Sequence, residues 1–502
     1  MITRDLDLML VNPGGRQQIY QELATELTAV EPPLWVRLIG GYALDRGHKI
    51  AVVDAEAEGI GPERVAELVK ARAPHLTALV VFGHQPSAST QQMVAAGELA
   101  RAIQTAAPDS KTIMIGGHVA ALPERTLREE AIDFACNGEG PVTVDQLLNV
   151  LKSELCDLSA VEGLVWRDGD AIRVNPSPPL IKDLDTDLHG NVWHLLPMHK
   201  YRAHNWQCFE DLSKRQPYAS IYTSLGCPYK CTFCCINAPF GTNRYRMRAP
   251  EKVVAEVDHL VAAYGVKTFK IIDEMFVLNY RHVDGICNLL AAKPYADELN
   301  IWAYARVDTV RPDRLRLLRK AGIRWLALGI ESGSAHVRDG AEKSLDQTDI
   351  VKIVREIQKA GIFVIGNFIF GLPDDDLRSM RQTLALAQEL NCEFANFYSA
   401  MAYPGSPLYQ LALRRGWELP QSWSGYSQHS YDCKPLPTEK LSAADVLRFR
   451  DHAFHQYFEG SRYLASVTQR FGWPTRRHLE GMAKTRLKRR LLDEPSEIVT
   501  AK

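Results

Sequence analysis

The chain has 502 residues, enough for two to four domains, and its 59 basic side chains are balanced by 60 acidic ones. That balance suggests neither a nucleic-acid nor a membrane-surface role, and no apolar stretch approaches the roughly 20 residues needed to span a bilayer. Ten scattered cysteines do not form a secreted disulfide framework, and the N-terminal apolar run is interrupted by acids, unlike a signal peptide, so a cytoplasmic, reducing location is expected.

Residues 1–148 alternate strand-like apolar runs with amphipathic helical stretches. Strands are predicted at 7–12, 49–54, 78–82, 112–115 and 132–135, with helices such as 63–72 and 91–106 between them. Short connections between alternating elements predict a doubly wound parallel sheet with its ligand site at the carboxyl ends of the strands. Small and polar residues gather there. Gly14 and Gly15 follow the first strand, Ser87 falls in the run 83–90 after the third, Gly116, Gly117 and His118 follow the fourth, and Gly138 and Glu139 the fifth. A nucleotide, a flavin or a receiver domain would suit this pattern equally well. However, no G-x-G-x-x-G follows the first strand, and there is no receiver-type acidic cluster.

Residues 149–215 read as a linker carrying a small hairpin, with 164–166 and 172–174 flanking Asp168-Gly169 before Pro176, Pro178 and Pro179 break regular structure.

Strands and helices alternate again over 216–415, with strands predicted at 219–224, 268–273, 301–305, 325–330, 363–369 and 394–400. Helices such as 251–264 and 313–321 lie between them, the order of a partial (β/α)6 barrel. After the first of these strands come Cys227, Cys231 and Cys234, spaced C-x3-C-x2-C with Phe233 before the last. Three thiolates on one loop can hold three irons of a [4Fe-4S] cube and leave the fourth iron open for chemistry. A zinc loop would want a fourth ligand at pair spacing, which the adjacent Cys235 cannot easily supply; a zinc loop or three buried structural cysteines are the alternatives.

The run from Ser224 to Cys234 resembles the signature of the radical S-adenosylmethionine (SAM) enzymes, and the similarity continues to about residue 415. The resemblance implies that the amino and carboxylate groups of SAM chelate the open iron. One electron, from an external flavodoxin- or ferredoxin-type donor, then cleaves the sulfonium C–S bond and releases a 5'-deoxyadenosyl radical. Carried onto this chain, it gives Asp273 and Glu274 the SAM ammonium, where many members have Gly-Gly-Glu; a salt bridge is the alternative reading of these two acids. It gives Arg306 the SAM carboxylate, and Glu331 and Ser332 the ribose hydroxyls or the carboxylate. Asn367 and Ile369 fall in a run similar to the adenine-contacting motif, its final acid displaced to Asp374. The turn 403–407 is expected to close the open side of the barrel. Met275, Phe276, Phe368 and Phe370 are expected in the core, and Cys235, Cys287 and Cys392 as small packed hydrophobes.

With such a core downstream, residues 1–148 resemble a cobalamin-binding domain, on the runs 116–123 and 138–140. The D-x-H-x-x-G motif that supplies a cobalt-ligating histidine in methionine-synthase-like domains is absent. The cobalt is therefore expected base-off, with His118 packing beside the corrin edge rather than ligating. Residues 416–502 are read as a helical region with a helix at 442–458, and Tyr431 and Cys433 as candidate pocket residues. The basic cluster of Lys484, Arg486, Lys488, Arg489 and Arg490 is read as a solvated helix end.

The expected architecture is thus α/β: a doubly wound parallel-sheet cobalamin domain (1–148), the linker (149–215), a radical SAM core (216–415) and a helical C-terminal region. The expected function is a cobalamin-dependent radical SAM methyltransferase, moving a methyl from methylcobalamin to an unactivated carbon or a phosphorus centre of a small molecule or biosynthetic intermediate. A cobalamin-dependent radical SAM cyclase or ring-rearranging enzyme shares every motif. A methylthiotransferase would need a second cluster, but only Cys136 and Cys156 precede residue 200. A non-catalytic cobalamin-binding protein would leave the cysteine loop without purpose.

Overall fold

The computed structural model describes residues 5–21, 27–85, 87–154, 156–343 and 345–493. The start of the acid-interrupted N-terminal run (1–4) and the end of the helical region (494–502) lie outside them. Two sheets organise the molecule. The first takes β1 (Leu8–Asn12), β2 (Ile50–Asp54), β3 (Leu76–Val80), β4 (Lys111–Ile115) and β5 (Phe134–Cys136), all parallel, in the spatial order β2-β1-β3-β4-β5. β1 and β3 are buried at every position, as strands covered by helices on both faces must be. The order reverses between β1 and β3, the place where a doubly wound sheet opens a crevice at its carboxyl edge.

The hairpin expected in the linker is instead part of this sheet. β6 (Leu164–Asp168) runs antiparallel beside β5, and β7 (Ala171–Val174) pairs with β6. A helix not predicted from the sequence, Leu34–Asp45, is buried from Leu34 through Ala43. One side packs on the first sheet, and the other meets the second unit. There Arg37 donates to Glu256 (2.9 Å) and to the Ser220 carbonyl (3.1 Å), while Arg248 holds the other Glu256 oxygen at 2.5 Å. This three-residue ion cluster is nearly dry.

The second sheet is parallel throughout, in the order β15-β14-β13-β12-β11-β8: β8 (Tyr218–Ile221), β11 (Thr268–Ile271), β12 (Asn300–Arg306), β13 (Ile323–Glu331), β14 (Phe363–Phe370) and β15 (Phe394–Ser399). It is the open six-stranded barrel expected. Between β8 and β11 a two-residue ladder, β9 (Ser224–Leu225) with β10 (Arg246–Met247), ties together the two ends of the cysteine loop. Helix Ala443–Phe458 starts at Ser442, whose hydroxyl and the Asp445 carboxylate cap each other's backbone. It packs on the barrel through Arg450 to the Phe397 carbonyl (2.8 Å) and Tyr457 to that of Cys392 (2.6 Å). Three of the C-terminal arginines are paired, Arg486 with Glu459, Arg489 with Asp451 and Arg490 with Asp432, so this stretch is knitted into the fold. No helix among the described residues is long and apolar enough to cross a membrane.

Candidate functional site

The carboxyl ends of both sheets open onto one cavity of about 340 Å³. From the first sheet it is walled by Leu34, Trp35, Phe82, His84, Ser87 and Gly117; the cysteine loop, the ends of β11 to β15 with the segments that follow them, and Gln428 of the C-terminal region line the rest. Cys227, Cys231, Phe233 and Cys234 all face it. Gly226 sits at φ +84°, and a Cβ there would lie 2.1 Å from the Arg244 carbonyl oxygen, so only glycine lets the loop turn away from β9. Asn237 braces the turn by donating to the Cys227 carbonyl (3.0 Å) and to Asn243 (2.9 Å).

The two acids after β11 have different duties. Asp273 is 1% exposed and fully engaged: it accepts from the Thr223 amide (2.6 Å), the Thr223 hydroxyl (2.5 Å) and the Ser224 hydroxyl (2.6 Å). It thereby fastens the strand that leads into the cysteine loop, and it has little left to offer a ligand. Glu274 keeps a buried Oε2 with no partner, and burial pushes its carboxyl up to about 8, with Asp273 adding to the shift.

At the end of β12, Arg306 gives its fork to Asp308 (Nε and Nη2, 2.9 Å each) and stacks 4.0 Å over the Tyr229 ring, leaving Nη1 3.7 Å from the Cys231 sulfur. The fork expected to be free for a carboxylate is therefore taken. Glu331, at φ +65°, pairs with Lys343, and both line the cavity. A non-glycine residue in the left-handed region is uncommon and costs local strain. Ser332 does not reach the cavity. It is fully buried, its hydroxyl shared with Thr383 (3.1 Å) and the Ser334 amide (3.1 Å). Asn367 and Ile369 do line it, with Asn367 held by the Leu328 carbonyl (3.1 Å) and by Asn396 (2.9 Å).

The rim expected on the first sheet is only partly present: Ser87 and Gly117 face the cavity and the other residues do not. Gly14 and Gly15 line a separate cavity, because Glu56 draws their loop aside by accepting from the Gly15 (2.9 Å) and Arg16 (3.2 Å) amides. Gly116 serves the sheet, since a Cβ there would meet the Val81 carbonyl oxygen at 2.1 Å. His118 is 2% exposed, bonded to Thr90 (3.2 Å) and packed edge-on at 4.3 Å to Trp423 rather than beside the cavity; burial depresses its imidazole to about 3. Gly138 and Glu139 border a smaller hollow, and Glu139 is spent on a salt bridge to Arg246 of β10 (2.5 Å). Cys433 is fully buried against Met401 and Leu447, and Tyr431 lies on the surface under Arg490, so neither shapes the cavity. Met275 and Cys235 are buried in the core as expected, and both also line the cavity. Sequence reasoning missed Trp35, His84, Tyr304, Lys343, Tyr398 and Gln428. Tyr304 could have been found from the alternation along β12, two positions before Arg306.

Residues 221–387 match the radical SAM superfamily, and residues 22–148 match the B12 binding domain. The chain is a cobalamin-dependent radical SAM enzyme. It is 27% identical over 423 residues to an uncharacterized methyltransferase, PH0819, of Pyrococcus horikoshii, covering 84% of this chain and 86% of that one. It is 26% identical to the anaerobic magnesium-protoporphyrin IX monomethyl ester cyclase of Cereibacter sphaeroides, over 93% of this chain and 74% of that one. Among solved structures it shares its fold with the radical SAM methyltransferase TsrM of Kitasatospora setae, bound to cobalamin and a [4Fe-4S] cluster, at a TM-score of 0.67 and 17% identity. That match covers 90% of this chain and 88% of the other.

A radical SAM enzyme of this kind uses a [4Fe-4S] cluster, SAM and cobalamin, and the donors in the cavity suit all three. Cys227, Cys231 and Cys234 lie on one loop and all line the cavity, and their soft sulfur donors suit an iron–sulfur cluster. Glu274 Oε2 is a buried acceptor awaiting a cation. The wall from the first sheet is flat and apolar, with Trp35 stacked on Phe82 at 4.2 Å and 14°. Beside it a Cβ on Gly117 would find nothing closer than Ser89 at 3.7 Å.

Proposed function

We propose that this radical SAM enzyme is a methyltransferase that moves a methyl group from cobalamin to an unactivated carbon or a phosphorus centre of a small molecule, driven by an electron from a flavodoxin- or ferredoxin-type donor. The observation that carries the reading is the single cavity. A cysteine loop and the loops of a B12-binding domain share one space, so a substrate held between them meets the source of a radical on one side and the source of a methyl on the other. The relatives named as methyltransferases support it.

In this reading Cys227, Cys231 and Cys234 hold three irons, and Phe233 shields the loop. Glu274 accepts from the SAM ammonium. Arg306, held flat by Asp308 and Tyr229, offers Nη1 to the cluster edge and the SAM carboxylate. Glu331, oriented by Lys343, takes the ribose hydroxyls, while Asn367 and Ile369 border the adenine. Trp35, Phe82, Ser87 and Gly117 form the corrin wall. When bound, the cluster and SAM supply a carbon radical, and cobalamin supplies the methyl. The residues bind, orient and keep water out: aromatic and aliphatic walls leave a radical few competing partners.

Full-length enzyme holding reduced cobalamin is predicted to convert SAM to S-adenosylhomocysteine even without the acceptor, well above an enzyme-free control. A rate equal to the control would remove the methyltransferase reading. The cyclase relative, similar along 93% of this chain, makes ring formation the second reading. It predicts 5'-deoxyadenosine with a substrate and no S-adenosylhomocysteine.

A further inference from the structure

The loop after β3 brings His84 into the cavity, beside Trp35, Phe82, Ser87 and Gly117, and among the described residues it is the only histidine that lines it. Its setting is unusual. Nδ1 is completely buried, has no hydrogen-bond partner, and lies 3.6 Å from the Glu31 carboxylate. Glu31 is in turn gripped by Lys270 at 2.9 and 3.2 Å and approached by His204 at 3.6 Å. Burial works against its charge, but Lys270 and the two imidazoles outweigh it and hold the carboxyl well below its usual range. Lys270 also donates to the His84 carbonyl (3.1 Å), pinning the backbone at that point. The His84 side chain keeps 26% exposure. Nδ1 has none of it, so the exposed part of the side chain lies away from Glu31.

Burial depresses the imidazole to about 4, so it is neutral at physiological pH. A neutral imidazole carries one proton, and the Glu31 carboxylate 3.6 Å from Nδ1 favours the tautomer with that proton on Nδ1. The Nε2 lone pair is then free, on a side chain that lines the cavity. Carboxylate behind, imidazole between and a metal in front is the arrangement in which histidine ligates metals, the carboxylate setting the tautomer and raising the basicity of the donor.

We propose that His84 Nε2 is the axial nitrogen ligand of the cobalamin cobalt in this enzyme, with Glu31 as its positioning residue. The inference rests on cobalamin occupying this cavity, and it revises the expectation from the sequence that no protein nitrogen would reach the cobalt. That expectation rested on the missing D-x-H-x-x-G motif and on His118, which the fold turns away.

The test is electron paramagnetic resonance on full-length protein loaded with cob(II)alamin. Wild type should show nitrogen superhyperfine splitting as a triplet, which becomes a doublet in protein grown on [15N]histidine with unlabelled cobalamin. His84→Ala should lose the splitting while binding cobalamin at an unchanged ratio. An unsplit wild-type spectrum would falsify the proposal. So would a triplet that survives the label, since it would come from the cofactor's own benzimidazole, or a splitting that survives His84→Ala. Should the variant fail to fold or load, the labelled wild-type spectrum decides, because the other histidines described lie outside the cavity. A wild type that binds no cobalamin overturns the ligand together with the cofactor, and is distinguishable from an unsplit cob(II) signal.

Discussion

With Glu274 as the proposed partner of the SAM amino group, SAM binding is predicted to release a proton from this residue. Its carboxyl is pushed up to about 8, first by burial and then by the neighbouring Asp273 charge, so in free enzyme at pH 7 about nine-tenths of it is protonated. An ammonium group bound at Oε2 favours the carboxylate. Each SAM taken up at pH 7 should therefore expel about 0.9 proton from this residue, falling toward none above pH 9. The sign follows directly. Because the raised value belongs to the free state and the ligand selects the charged form, affinity falls as pH drops below about 8, by up to tenfold per unit. Between pH 8, where half the carboxyl is already ionised, and pH 6 this amounts to about fiftyfold, roughly 2.3 kcal/mol. Calorimetric titration of the anaerobically reconstituted enzyme, without reductant and in buffers of different ionisation enthalpy, measures both the affinity and the proton count. Glu274→Gln should release about 0.9 proton fewer per SAM at pH 7 and lose this residue's part of the pH slope, the rest belonging to the SAM amino group itself, and weaken binding at pH 8 by about 1–3 kcal/mol, the worth of a hydrogen bond to a charged group. Equal affinity at pH 6 and 8 in wild type, or proton release undiminished in Glu274→Gln, would show that SAM's amino group sits elsewhere.

Anaerobic reconstitution should give about four irons and four sulfides per chain. Cys227→Ala, Cys231→Ala or Cys234→Ala should each abolish 5'-deoxyadenosine formation, whereas Cys235→Ala spares it, and cluster assembly unaffected by the first three would discard the ligand set. Gly117→Val should keep the fold and the cluster but lose cobalamin, because its Cβ meets only ordinary contact at 3.7 Å and its methyls project into the cavity. Gly116→Ala, by contrast, should lower the melting temperature with or without the cofactor, its Cβ falling 2.1 Å from the Val81 oxygen; equal behaviour of the two would contradict the geometry. Glu256→Gln leaves Arg37 and Arg248, 0% and 4% exposed, without a counter-charge at the contact between the two units. A loss of about 3–5 kcal/mol is expected, seen as a lowered first transition in a thermal scan, and an unshifted transition would mean that the pair is hydrated in solution.

What the sequence revealed follows from which interactions are local. The strands of both sheets are legible because they are apolar runs ended by turn residues, and the cysteine loop because its spacing is itself the chemistry. Where the reading slipped, a long-range contact had decided the outcome. The first barrel strand was expected to run to 224 but stops at Ile221, since the Thr223 amide turns to Asp273 instead of to a neighbouring strand. Helix Leu34–Asp45 shows little period because neither face meets water, a consequence of the barrel helix that carries Glu256 and is more than two hundred residues away. The candidate rim failed for the same reason. Four glycine-bearing loops follow the first, third, fourth and fifth strands, but whether each faces the partner sheet depends on what claims it. Glu56 claims the first, Arg246 claims Glu139 on the fifth, and only the loops after β3 and β4 are left to face the cysteines. His84 lies on one of those two loops. Its significance was invisible in sequence, because the carboxylate that fixes its tautomer is 53 residues away and is itself held by a lysine of the other sheet.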